Sequence, residues 1–146
     1  MDERIKEHLK RLNQYHIQLV DLGKLPYEKF VGDLLNRAAA ERVLQIAIES
    51  CLNIGNRLIS LLQFEQPVRT PESYAEIFTI MRDLGIIDGE FSDRLVEMAK
   101  FRNRLVHLYW DLDAEMTYRI LQENISDLKR FQDDVVDFLN KRKPSP

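Results

Sequence analysis

The sequence predicts an all-α, single-domain bundle of about five helices, and three observations carry that prediction. Apolar residues recur at three- and four-residue spacing along most of the chain, the signature of helices with one buried face. Only 5 Gly and 5 Pro interrupt the 146 residues, so few breaks are available. No alternating Val/Ile/Thr run bounded by hairpin-turn residues occurs, and no sheet is expected.

The first helix is expected from Arg4 to about Leu22, with Ile5, Leu9, Leu12, Ile17, Leu19 and Leu22 inward, ending at Gly23. Gly23-Lys24-Leu25-Pro26 reads as a stop, a connection and a restart, since proline suits a first helical turn. A long helix follows from about Tyr27 to Leu62, with Gly32 as a candidate bend. Its apolar stripe comprises Leu34, Leu35, Ala38, Leu44, Ile48, Cys51, Leu52, Leu58 and Leu62. Gln63 to Pro71 holds two prolines and reads as a loop. The third helix runs to about Leu84 with Tyr74, Ile77, Phe78 and Met81 inward, and Gly85-Ile86-Ile87-Asp88-Gly89 turns the chain. The fourth is expected from near Glu90 to about Arg102, burying Phe91, Leu95, Met98 and Ala99 or Phe101. The last runs from about Asp113 to Lys141 on Tyr118, Leu121, Ile125, Leu128, Phe131, Val135 and Phe138. Residues 1–143 are assigned to the helical domain, and Pro144-Ser145-Pro146 to a frayed tail.

Composition narrows the function. With 45% hydrophobic and 31% charged residues, the chain has the balance of a globular protein. The net charge of −3 means the molecule as a whole does not attract nucleic acid, so any RNA or DNA binding must be local. A lone Cys51 excludes an internal disulfide and fits a reducing compartment. No signal-peptide core and no membrane-length apolar run occurs, so a cytoplasmic location without membrane contact is expected.

The richest stretch chemically is Phe101 to Trp110, which holds Arg102, Asn103, Arg104, His107, Tyr109 and the only tryptophan. Arg102, His107 and Tyr109 follow the spacing Arg-x-x-x-x-His-x-Tyr. A fixed cation beside a group that titrates near neutrality suits phosphodiester cleavage, where an anion is neutralised and a proton moves. Arg102 would hold the phosphate through its planar fork. His107 would take the 2′-hydroxyl proton or protonate the 5′-oxygen leaving group. Asn103 would bind the phosphate or orient the histidine. Such cleavage needs no metal and no cofactor, and leaves a 2′,3′-cyclic phosphate. On a straight helix Arg102 and His107 stand roughly 140° apart, so a local bend or a second copy of the chain is needed to bring such groups over one phosphate. The plainer reading is that Arg102 and Arg104 pair with nearby acids, that His107 simply ends a helix, and that Tyr109 and Trp110 are packing groups. Elsewhere, His8 and His16 lack metal-site spacing, Cys51 reads as an inert core thiol, and no phosphate-cradling glycine loop occurs.

Over nearly its whole length the chain resembles the HepT-like branch of the HEPN superfamily, the toxin half of a two-gene toxin–antitoxin pair. The resemblance rests on Arg37 to Glu49, on Phe78 to Ile87, and on Met98 to His107 with Tyr109. It implies a helical bundle that homodimerises, bringing Arg102 and His107 of both protomers to a shared cleft. It further implies a metal-independent endoribonuclease acting on tRNA or mRNA, with Arg102 and His107 catalytic and Asn103 supporting. Tyr109 matches the tyrosine to which a cognate minimal nucleotidyltransferase, the antitoxin, adds AMP. The alternative is a non-catalytic helical partner whose motif serves as docking and modification site for that nucleotidyltransferase.

Overall fold

A computed structural model describes residues 1–107, 110 and 112–142; Tyr109 and the tail at 144–146 lie outside the described residues. Seven helices run in order among those residues: α1 (Glu3–Gly23), α2 (Tyr27–Gly32), α3 (Leu34–Leu62), α4 (Tyr74–Asp83), α5 (Gly89–His107), α6 (Ala114–Glu123) and α7 (Ser126–Lys141). The all-α bundle is as predicted, with two of the expected helices each divided in two.

The first division follows from Gly32-Asp33. Asp33 leaves helical geometry, and its carboxylate accepts the Leu35 N–H at 2.9 Å, which starts α3 afresh. The second falls at Asn124-Ile125, where Asn124, a weak helix former, ends α6. Ile125 and Leu128 remain buried across the break, so the apolar stripe survives a change of helix.

Helix α3 is the spine, and α1 lies along it. The Asp2 carboxylate accepts the backbone N–H groups of Arg4 and Ile5 and so caps α1. Arg57 of α3 grips the same carboxylate at 2.9 Å, and that hydrogen bond is the main reason the Asp2 pKa falls below its ordinary value. Ile5, Leu9, Leu12 and Leu19 of α1 are buried as predicted, whereas Ile17 is 53% exposed. Ile17 sits roughly 120° around the helix from Ile5, off the stripe, because each residue turns the helix by about 100°. Leu34 and Leu35, also expected inside, are 68% and 79% exposed, since the first turn of α3 stands outside the packed core.

Phe30, Phe78, Phe91 and Phe131 fill the centre. Cys51 is fully buried there, and burial pushes its thiol pKa up, which makes it an inert packing group. Gly85 closes α4 with a positive φ of 78°, a conformation glycine adopts without a Cβ penalty. The Ile86 N–H then reaches back to the Met81 carbonyl and turns the chain toward α5. At Gly55 the spine meets α4 closely: a Cβ there would stand 2.6 Å from Ile77 Cγ2 and 2.8 Å from Met81 Sδ. That crossing sets Tyr74 and Ile77 of α4 beside Asn53 and Asn56 of α3. Among the described residues, no helix is long and apolar enough to cross a membrane.

Candidate active site

Helix α5 continues unbroken to His107, five residues beyond the predicted end near Arg102. There is therefore no local bend between Arg102 and His107, and they keep the roughly 140° separation of a straight helix. Asn103 and His107, four apart, share one face of α5.

Both line one composite cleft. Asn103 and His107 open onto a depression of about 530 Å³, walled by Leu52, Asn53, Asn56, Tyr74 and Ile77. Arg102 opens onto an adjoining depression with Glu49, Leu52, Asn53 and Tyr74. Leu52, Asn53 and Tyr74 belong to both, so the three motif residues within the described chain reach one continuous surface. The fourth candidate, Tyr109, lies outside the described residues.

Arg102 is held on several sides. Its Nε and Nη2 donate to Glu49 Oε1 at 3.2 and 2.9 Å, while Nη1 donates to Asn103 Oδ1 at 3.3 Å. Gln45 donates to the same Glu49 oxygen at 3.1 Å, which steadies the carboxylate. The guanidinium lies over the Tyr74 ring at 4.9 Å, a cation–π contact worth about 0.5–2 kcal/mol. Arg102 is thus fixed with one edge on Glu49 and the other turned to Asn103. The Asn103 oxygen is engaged by that contact, which leaves its amide N–H₂ as the donor for an anion in the cleft. His107 is exposed at the cleft wall.

Trp110 is 70% exposed rather than packed, but two elements of the plainer reading hold: Arg102 does pair with an acid, and His107 does end a helix. Neither removes the side chains from the cleft. The arrangement offers a pre-oriented cation, an amide donor and an accessible imidazole, the parts that phosphodiester cleavage requires.

Two contributors escaped the sequence reading. Tyr74 was expected inward but is 47% exposed, forming the cleft wall and the seat of Arg102. Glu49 was not singled out as the partner of Arg102. Its signal was the polar series Glu49, Asn53, Asn56 and Ser60, which shares one face of α3.

Comparisons with known proteins extend over most of the chain. The family model described as "Ribonuclease HepT-like" matches residues 5–135. The chain is 29% identical over 90 residues to the mRNA nuclease HepT of Shewanella oneidensis, covering 62% of this chain and 65% of that relative, just under two thirds of its length. It is 21% identical over 114 residues to the tRNA nuclease HepT of Aphanizomenon flos-aquae, covering 78% and 75% respectively. The fold matches the solved structure of a tri-AMPylated Shewanella oneidensis HEPN toxin in complex with MNT antitoxin, with a TM-score of 0.84 at 22% identity, over 94% of this chain and 99% of that one.

Proposed function

The chain belongs to the HepT-like ribonuclease family, and on that premise we propose that it is the toxin of a toxin–antitoxin pair. It cuts cellular RNA, tRNA or mRNA, as a metal-independent endoribonuclease, with Arg102 and His107 as the catalytic pair. The observation that supports this most is the convergence of Arg102, Asn103 and His107 on one open cleft.

In the reaction, the ribose 2′-oxygen attacks the adjacent phosphorus as its proton leaves, and the bond from phosphorus to the 5′-oxygen breaks. His107 accepts the first proton or supplies the one that the departing 5′-oxygen takes up. Arg102 and the Asn103 amide neutralise the charge that grows on the phosphate oxygens. A homodimer doubles these groups around a shared cleft, so one histidine serves as base and its copy as acid. The exposed Leu34 and Leu35 are surface of the kind that a second copy covers. Incubating the protein with RNA in excess EDTA and analysing the product ends tests the chemistry. Fragments ending in 2′,3′-cyclic phosphate are expected; fragments with 5′-phosphate and free 3′-hydroxyl ends would overturn this route.

The partner is a minimal nucleotidyltransferase that silences the toxin by adding AMP to Tyr109. Tyr109 is two residues beyond His107, so phosphates attached there would occupy the anion site and repel RNA. Tyr109→Phe is expected to cleave RNA normally and to keep cleaving after incubation with the antitoxin and ATP. Normal silencing of that variant would move the modification to another residue. The second reading, a non-catalytic partner of the nucleotidyltransferase, draws on the Arg102–Glu49 pair as a purely structural contact. Loss of complex formation rather than of cleavage in a His107 variant would favour it.

A further inference from the structure

The polar face of α3 does not stop at the cleft. Glu49, Asn53, Asn56 and Ser60 follow a 4-3-4 spacing, which places all four within about 60° of one helical stripe. Glu49 meets Arg102 at one end of the stripe. At the other end lies a groove between α1 and α3, lined by Arg4, His8, Asn53, Asn56, Arg57 and Ser60. Asn53 lines this groove and both depressions of the candidate active site, so the three form one track about an asparagine hub.

The chemistry of the groove differs from that of the rest of the surface. The chain carries a net charge of −3, yet among the described residues no carboxylate lines this groove. Arg57 is paired with Asp2 through Nε and Nη2, and Nη1 makes no bond among the described residues. Arg4 is exposed and forms no ion pair among the described residues, so the groove keeps a net positive charge. His8 is part of the lining; burial, then the Arg11 cation, lower its pKa below the ordinary histidine value, so it adds hydrogen bonding rather than charge at neutral pH. Arginines, amides and a hydroxyl without a carboxylate are what the sugar–phosphate backbone of a nucleic acid is held by. Amides between two such phosphate sites are placed to meet the intervening base, and Tyr74 presents an exposed ring for stacking.

We infer that the α1–α3 groove is a second phosphate subsite: single-stranded RNA runs from the scissile phosphate at Arg102 and His107 across Asn53 and Asn56, and Arg4 and Arg57 hold a phosphate of the flanking nucleotides. The inference deepens the ribonuclease reading and rests on it for the direction of the strand, while the binding it describes is measurable without cleavage.

The test compares wild type with Arg4→Glu and Arg4→Gln. The Arg4 side chain is exposed and its capping contact uses only the backbone, so these proteins should fold alike, which thermal melting checks. Binding is read by fluorescence anisotropy on a 2′-O-methylated single strand, which lacks the nucleophile and cannot be cut. Wild type should bind. Arg4→Gln and Arg4→Glu should bind progressively more weakly, and the slope of log affinity against log salt should fall by about 0.7 for one lost phosphate contact on a single strand. On cleavable RNA, KM for a long strand should rise with kcat kept, while cleavage of a dinucleotide stays unchanged. Equal affinity and slope in wild type and Arg4→Glu would overturn the groove and leave the ribonuclease reading standing. Binding that depends on Arg4 in a protein that cuts nothing would uphold the groove and overturn the ribonuclease reading. If the Arg4 variants lose only their grip on the antitoxin and keep RNA affinity, the groove is a protein-docking surface and the inference fails.

Discussion

Replacing Phe78 with alanine is expected to cost the fold about 3–5 kcal/mol, the range for large-to-small truncation of a buried aromatic. That is a large share of the roughly 5–15 kcal/mol that holds a domain of this kind together. Phe78 is fully buried, packs edge-to-face on Phe131 at 6.0 Å between ring centres, and follows Ile77, which meets Gly55 at the close crossing of α3 and α4. Its carbonyl also accepts the Ser92 hydroxyl of α5 at 3.2 Å, so the residue ties α4 to the helix that carries the candidate site. Urea unfolding checks this through a lower midpoint at unchanged slope. A loss below about 1 kcal/mol would mean that the core collapses around the gap far better than truncation series generally allow.

His107→Ala should behave in the opposite way. His107 is exposed at the end of α5, so its removal should change stability by no more than about 0.5 kcal/mol. Cleavage should fall by about 10²–10⁴-fold, the usual contribution of a positioned general acid or base. Unfolding of the variant would assign the imidazole a structural role, and activity near that of wild type would remove it from the catalytic pair. Arg102 is more embedded, with its side chain only 14% exposed, and its truncation strands Glu49 and empties the face of Tyr74. Loss of activity in Arg102→Ala therefore mixes lost phosphate binding with local rearrangement, and His107 gives the cleaner reading.

Much of the fold was legible because the helices are amphipathic and the chain is poor in breakers. The stripe Ile5, Leu9, Leu12 and Leu19 needs only the helical repeat to be found, and the structure buries all four. Apolar identity misled at Leu34 and Leu35, because a stripe says which face is apolar and not how far along the helix a neighbour covers it. The break at Asn124 was hidden by an apolar pattern that runs straight across it. At the site, Arg102, Asn103 and His107 stood out as residue types crowded into a short stretch. Glu49 did not, since its meeting with Arg102 spans 53 residues of sequence and depends on how α5 lies on α3. Tyr74 was assigned inward on helical spacing, although a tyrosine on a cleft wall satisfies the same spacing with its ring half in water.

The most direct measurement is an RNA-cleavage assay in excess EDTA that sets the unmodified wild type beside Arg102→Ala and His107→Ala, each shown by mass spectrometry to carry no AMP on Tyr109. A metal-independent site built on these two side chains predicts cleavage by wild type and its near-complete loss in both variants. Cleavage that survives in the variants, or that none of the three proteins supports, would contradict it.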